Sequence, residues 1–492
     1  MEFRAVADDE FRAVAEDDGG PVAEVPAAGR PATFASCVFN LANTIIGSGM
    51  LGLPAAFAAC GYMLGSALLC LAATNAAFGL HLLAAAARLV ERKVPGDAAR
   101  SGTASFRSVA TAAAPRFATL IDAAVAVKCF GVATSYLIVV GDTMPVVARA
   151  VVGPASALAH RAPWILGATA LVGPLAFMRN LDSLQFASMF SLGCVLFLVV
   201  MIVQYYTKHP LSACDDEGCG DEVRAEVTMA TARKFTIFIF SYTCHQNIFA
   251  VVNEIQRPSP RRINGVVCAA VGCAAAVYLA VANCGYASFG DAVRPDVLDN
   301  FPSSPVVNVA RVLVALLVAL SFPLQCHPSR ACVRSLLRAA RGAEATPDPL
   351  APRHFSSLLR AARGAGPETA SDDAAVNPLA LRRLSDDGGA DGGAEADGAL
   401  IDDARAARRD RLEHCAVTAI FVGGALAIAL SVEDLSAILA IVGATGSTTV
   451  SYILPGGIYA RLAPRSLKRH LAVLLFAVGC VIMPTALVLI FI

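Results

Sequence analysis

Long apolar runs alternate with short polar segments along most of this 492-residue chain. A helix needs about 20 apolar residues to cross a bilayer. By that measure the pattern predicts eleven spans: 35–58, 62–88, 118–144, 162–178, 184–206, 234–254, 264–289, 305–326, 413–431, 434–460 and 470–491. The run 162–178 is the shortest and the least secure as a crossing. Two segments break the pattern. The N-terminal tail is polar and repeats itself (EFRAVADD, then EFRAVAED), and residues 340–410 are rich in Ala, Gly, Asp and Arg. Neither has enough apolar content to pack, so both are expected to be disordered. The expected organisation is a tail (1–33), helices 1–8 (34–326), a long loop (327–411) and helices 9–11 (412–492).

Composition supports a membrane protein. Apolar residues make up 56% of the chain and charged residues 16%. Soluble proteins average about 45–50% and about 25%. The formal net charge is zero, which gives no reason to expect a nucleic-acid partner. The first 30 residues are acidic and hold no apolar core, so the first helix is expected to direct insertion without a signal peptide. With the N-terminus in the cytoplasm, the loops on that side carry most of the 39 lysines and arginines, as the positive-inside rule requires. The opposite loops are acidic, with Asp215, Asp216, Glu217, Asp221, Glu222, Asp296, Asp299, Glu433 and Asp434. The C-terminus then faces a lumen or the outside. Most of the 15 cysteines lie in apolar runs and act as small hydrophobes. Cys214 and Cys219 lie instead in an acidic lumenal loop. A disulfide is chemically permitted there, between the two or from one to another lumenal cysteine.

Two spans are interrupted. The first reads "NTIIGSGMLGLP" from Asn43 to Pro54, with Gly47, Ser48, Gly49, Gly52 and Pro54 inside one apolar run. Small residues can serve close helix packing, or a tolerated kink. They can also mark a deliberate break, where freed carbonyls hold a cation and a half-helix N-terminus holds a carboxylate. Span 6 carries a second interruption, the mixed-polarity stretch Ser241 to Asn247. Polar groups at membrane depth are costly and tend to face a cavity. Spans 1 and 6 would open two groups of five, and paired interruptions at corresponding places point to a transporter's binding site.

Four blocks carry a family likeness: "FNLANTIIGSGMLGLPAAFAACG" from Phe39, "KCFGVATSYLIVVGDTMP" from Lys128, "FSYTCHQNIFAVVNEIQRPS" from Phe240 and "FPLQCHPSR" from Phe322. Together they resemble the amino acid/auxin permease family, and within it the vacuolar amino acid transporters and the sodium-coupled neutral amino acid transporters. The resemblance runs from about Phe34 to Arg334 and resumes at Arg411. It implies an all-α membrane fold built as a five-plus-five inverted repeat with broken helices 1 and 6. It also implies amino acid transport by alternating access, coupled to sodium or protons. By the same likeness, Gly47, Ser48 and Gly49 would meet the substrate carboxylate, and Ser241, Thr243 and His245 the α-amino group. Asn43 and Ser321 would form a sodium site. The family's usual threonine is serine at position 321, which leaves sodium and protons both open. No other cofactor is expected. The substrates expected are neutral amino acids, the membrane vacuolar, lysosomal or plasma, and the functional unit a monomer in the lipid bilayer.

Other side chains have competing readings. Lys128 lies within span 3 and either snorkels to the cytoplasmic surface or stands as a fixed charge where a cation would sit. Asp122 reads as structural, near the interface. His245 is either a hydrogen-bonded packing residue or a proton carrier. Glu254 with Arg257, Arg261 and Arg262 reads as a solvated cluster or a gate pair. Arg311 is expected to snorkel. Enzyme motifs are missing: there is no P-loop and no zinc-binding H-E-x-x-H. Gly141-Asp142 lacks the flanking glycine and the partner Tyr-Asp pair of an intramembrane aspartyl protease. The alternatives to a transporter are a non-transporting amino acid sensor on the same fold, or a channel, for which rings of like charge are lacking.

Overall fold

The computed structural model describes residues 32–93, 104, 106–114, 118–178, 185–209, 225–341 and 391–492. Among these the chain is helical, and one isolated bridge, Ala32 to Ile255, is the only extended pairing. The first span is two half-helices, α1 (Phe34–Ile45) and α2 (Gly49–Ala58). Then come α3 (Tyr62–Lys93), the short α4 (Phe106–Ala113), α5 (Ala118–Val152), α6 (Arg161–Ala176) and α7 (Gln185–Lys208). The sixth span is again split, into α8 (Met229–Ser241) and α9 (Ile248–Glu254). It is followed by α10 (Pro260–Phe289), α11 (Pro305–Ala340), α12 (Asp391–Ser431), α13 (Leu435–Val442), α14 (Leu454–Leu462) and α15 (Leu467–Phe491).

Among the described residues, nine helical stretches are long and apolar enough to cross a membrane. The α1–α2 pair, bent by 53°, makes a tenth. The remaining expected span is α6. Its 16 residues reach about 24 Å, short of a hydrocarbon core of about 30 Å.

Helix starts follow local chemistry. Ser259 and Ser304 precede Pro260 and Pro305, and each serine hydroxyl accepts a hydrogen bond from a first-turn amide. Thr228 and Thr231 form a reciprocal cap at the start of α8. The break after Ile45 falls on Gly47-Ser48-Gly49, residues of low helix propensity. An irregularity that the apolar pattern does not predict lies between α13 and α14. There the backbone takes π turns over Gly443–Ser447 and Thr449–Ile453.

The expected long loop is shorter than its composition suggests. Residues 327–340 continue α11 and residues 391–411 begin α12. The arginines that make this region look unpackable have partners. Arg330 donates to Ala176 O (2.8 Å) and to Thr418 Oγ1 (3.1 Å). Arg334 pairs with Asp410, and Arg341 with Glu413. Ser335 donates to Asp122 Oδ2 (2.5 Å), so Asp122 helps hold α11 to α5. Residues 1–31 and 342–390, and the pair Cys214 and Cys219, lie outside the described residues.

Arg311 does not snorkel. It is 1% exposed and donates to Leu298 O and Phe301 O, both at 2.8 Å, and to Asn308 Oδ1 at 3.0 Å. It thereby pins the segment between α10 and α11 onto the helices. Asp296 in that segment is 2% exposed. One oxygen accepts from Leu298 N at 2.9 Å, and the other has no partner among the described residues. Burial, with neighbouring Asp299 adding to it, pushes the Asp296 carboxyl well above the usual range, against the pull of Arg311. Asp142, Arg161 and Arg294 complete the charged surroundings of the two acids.

A raised carboxyl stabilises the docked segment fully below the unfolded-chain value of about 4. That contribution is lost as pH rises through the folded value. Hydrogen exchange at residues 293–301, corrected for intrinsic rates, should therefore show protection that falls as pH rises. Asp296→Asn should flatten the profile. Protection that does not change with pH in the parent would contradict the assignment.

Candidate functional site

The two breaks face each other. Asn247 Nδ2 in the second break donates to Thr44 Oγ1 in the last turn of α1 (2.8 Å). Behind them stands Tyr278 of α10, fully buried. Its hydroxyl lies 2.6 Å from Ile45 O and 2.9 Å from Ser241 O, the carbonyls at which α1 and α8 stop. One phenol thus serves backbone groups from both breaks.

Gly49 permits this close approach. A Cβ there would stand 2.9 Å from Ser241 Oγ and 3.0 Å from Ser241 Cα. The π turns bring a third backbone up. A Cβ at Gly446 would lie 2.8 Å from Lys128 Cα, so the irregular span packs directly on α5. Its Ser451 hydroxyl donates to Thr243 Oγ1 (3.2 Å).

Between the breaks lies a narrow cavity of about 20 Å³. Gly47, Ser48, Gly49, Ser241 and Thr243 line it, joined by Thr44, Lys128, Val132, Tyr136 and Gln325. A volume of about 10–15 Å³ holds one water, so binding of an amino acid here requires the walls to move apart. His245, Asn43 and Ser321 do not line the cavity. The His245 ring is fully buried, with Nδ1 3.1 Å from Ser451 Oγ and its far edge against Gly79 of α3. Asn43 and Ser321 are buried at 9% exposure each, and the Ser321 hydroxyl donates to Leu317 O at 2.8 Å.

The walls have a definite polarity. Thr44, Ser241 and Thr243 each donate their hydroxyl proton to a carbonyl four residues back, at 2.8–2.9 Å. Ser135 gives its proton to Val132 O (2.8 Å), so its 2.8 Å contact with Ser48 is donated by Ser48. These hydroxyls present lone pairs. The amides of Ser48 and Gly49 make no backbone hydrogen bond among the described residues, and they lie at the N-terminus of α2. Lys128 is 2% exposed, and its ammonium makes no hydrogen bond or ion pair among the described residues. It lines the cavity and does not reach a membrane surface. A cation with no partner is expensive at this depth.

The sequence pattern alone does not mark Tyr136, Tyr278 or Gln325 as site residues. Tyr278 carries a signal, as a tyrosine inside the aliphatic stretch Ala274–Val281 whose hydroxyl must find a partner when buried.

Gly49→Val should insert the nearest methyl groups into Ser241, abolishing amino acid uptake while membrane insertion persists. Radiolabelled uptake, normalised to protein in the membrane, is the readout. Uptake equal to the parent's would remove the α2–α8 contact from the site.

Residues 30–492 match the family model described as transmembrane amino acid transporter protein. The chain is 30% identical to vacuolar amino acid transporter 5 of Schizosaccharomyces pombe, over 87% of this chain and 84% of that one. It is 29% identical to vacuolar amino acid transporter 6 of Saccharomyces cerevisiae, over 93% and 98%. It is also 29% identical to sodium-coupled neutral amino acid transporter 7 of Mus musculus, over 63% and 66%. A multipass helical protein with two broken spans, matched along nearly its whole length, this chain belongs to the transmembrane amino acid transporter family.

Proposed function

We propose that the protein moves neutral amino acids across a vacuolar or lysosomal membrane by alternating access. The observation that carries this reading is the cavity shared by both breaks. Its donors, the amides at the start of α2, suit a carboxylate. Its acceptors, the lone pairs of Ser241 and Thr243, suit an α-ammonium. No carboxylate lines it to hold a cationic side chain. The vacuolar relatives support the choice of membrane.

The half-helices are paired across the breaks in a way that supports alternating access. The end of α2 is tied to α8: Lys234 Nζ donates to Ala55 O (3.0 Å) and Thr231 Oγ1 to Ala59 O (2.5 Å). The start of α1 is tied to the end of α9, where Ala32 N donates to Glu254 O (2.7 Å) and Gln256 N to Ala32 O (3.0 Å). Each pair can move as a unit about the breaks.

Coupling to protons is the reading favoured here. A sodium ion in the cavity would share it with the Lys128 ammonium, and unit charges 4 Å apart repel by ~4 kcal/mol at an effective dielectric of 20. The position of His245 outside the cavity leaves it no direct contact with a substrate there. Amino acid flux in proteoliposomes, with a pH gradient and no sodium and then with a sodium gradient at equal pH, tests the proposal. Flux with the pH gradient alone is expected. Flux with sodium alone, lost in Asn43→Ala and in Ser321→Ala, would overturn the proton assignment.

A further inference from the structure

Among the described residues, Lys128 is 2% exposed, lines the cavity, and makes no ion pair with a carboxylate and no hydrogen bond through its ammonium. Burial of an unpaired charge costs several kcal/mol even after relaxation. A structural lysine would recover that cost through a partner, as Lys234 does with Ala55 O at 3.0 Å. Lys128 does not, and it lines the same cavity as the first break. Its backbone is packed closely against the π-turn residue Gly446.

The rest of the wall shows what could satisfy it. The serine and threonine hydroxyls nearby have spent their protons on protein acceptors. The donors that line the cavity are the Ser48 and Gly49 amides, the Tyr136 hydroxyl, the Gln325 carboxamide and Lys128 Nζ, of which Lys128 alone is cationic. Once the walls part, a carboxylate, with two anionic oxygens, can meet the amides through one oxygen and the ammonium through the other. A neutral amine has no such group, and an amino acid amide offers one uncharged oxygen. A cationic side chain would add a second positive charge beside Lys128.

We propose that Lys128 is a specificity-determining residue whose ammonium pairs with the α-carboxylate of the bound amino acid. This rests on the cavity being the amino acid site. The pocket then requires a free carboxylate, accepts amino acids of zero or negative net charge, and rejects amines, amino acid amides and cationic amino acids.

The test uses the purified full-length chain in nanodiscs. Binding is read as ligand-induced thermal stabilisation across a concentration series, for a panel of neutral L-amino acids and their carboxamides led by L-alanine and L-alaninamide. Parent and Lys128→Met are compared. A charge-assisted hydrogen bond contributes about 1.5–3 kcal/mol, so the acid-to-amide affinity ratio should fall by about 10-fold to 150-fold in the variant. The ligand-free variant should melt at the same temperature as the parent or higher, because the substitution removes an unpaired buried charge and keeps the volume. A contact that merely supports the fold predicts the opposite shift. An unchanged acid-to-amide ratio would overturn the proposal and assign the carboxylate to the α2 amides alone. A variant that fails to fold, or melts several degrees lower, would also overturn it, since it would reveal a structural partner. If the parent binds no member of the panel, the amino acid site itself fails and this proposal with it. L-Arginine and L-lysine should compete poorly with the neutral panel in the parent, and equal competition would contradict the charge filter.

Discussion

A backbone group released inside hydrocarbon has no water to turn to, and that constraint shapes the centre of this protein. Two spans stop mid-membrane, at Ile45 and at Ser241, and each stop frees carbonyls that a continuous helix would have used. The Tyr278 hydroxyl lies within hydrogen-bond distance of both of those carbonyls. It is carried by α10, an unbroken 30-residue helix, so the two breaks share a rigid reference point. The Tyr278 ring is itself held edge-on to Tyr242, with centroids 5.2 Å apart. What the breaks leave over, amides at the start of α2 and lone pairs along α8, is directed into one small cavity.

Linkages on either side of the breaks turn this local arrangement into a mechanical one. The outer end of α2 is bound to α8 by backbone carbonyls accepting from Thr231 and Lys234. The far end of α1 is bound to α9 through the backbone at Ala32, Glu254 and Gln256. Each bound pair draws one half-helix from each broken span. Polar links between the pairs include the Tyr278 contacts and the Asn247–Thr44 hydrogen bond, each worth about 1 kcal/mol net. Bonds of that strength are cheap to break, whereas the helix interiors are not.

Much of the fold is legible in the sequence because apolar run length and helix length obey the same limit in a membrane. The first break is legible for a related reason: Gly47, Ser48 and Gly49 within an apolar run lack any role that a plain helix would need. Residues 327–340 are misread because composition does not show that Arg330, Arg334 and Arg341 have partners on α6 and α12, up to 154 positions distant. The π turns near Gly446 are invisible for the same reason: the backbone there packs on Lys128 of α5, a contact between distant residues. Of the residues picked out for the site, Gly47, Ser48, Gly49, Ser241 and Thr243 converge on one cavity, while Asn43, Ser321 and His245 lie outside it. Helical spacing alone does not separate these groups. Thr243 and His245 are two residues apart, and only the local 3₁₀ turn over His245–Asn247 sends one inward and the other against α3.

The central claim is that the two breaks together form the substrate site. A cryo-electron microscopy structure of the full chain in nanodiscs, at saturating concentration of an amino acid shown to bind, tests this directly. The account predicts ligand density between Gly47–Gly49 and Ser241–Thr243, with its carboxylate at the start of α2. Density elsewhere in the bundle, with both breaks still closed on each other, would contradict it.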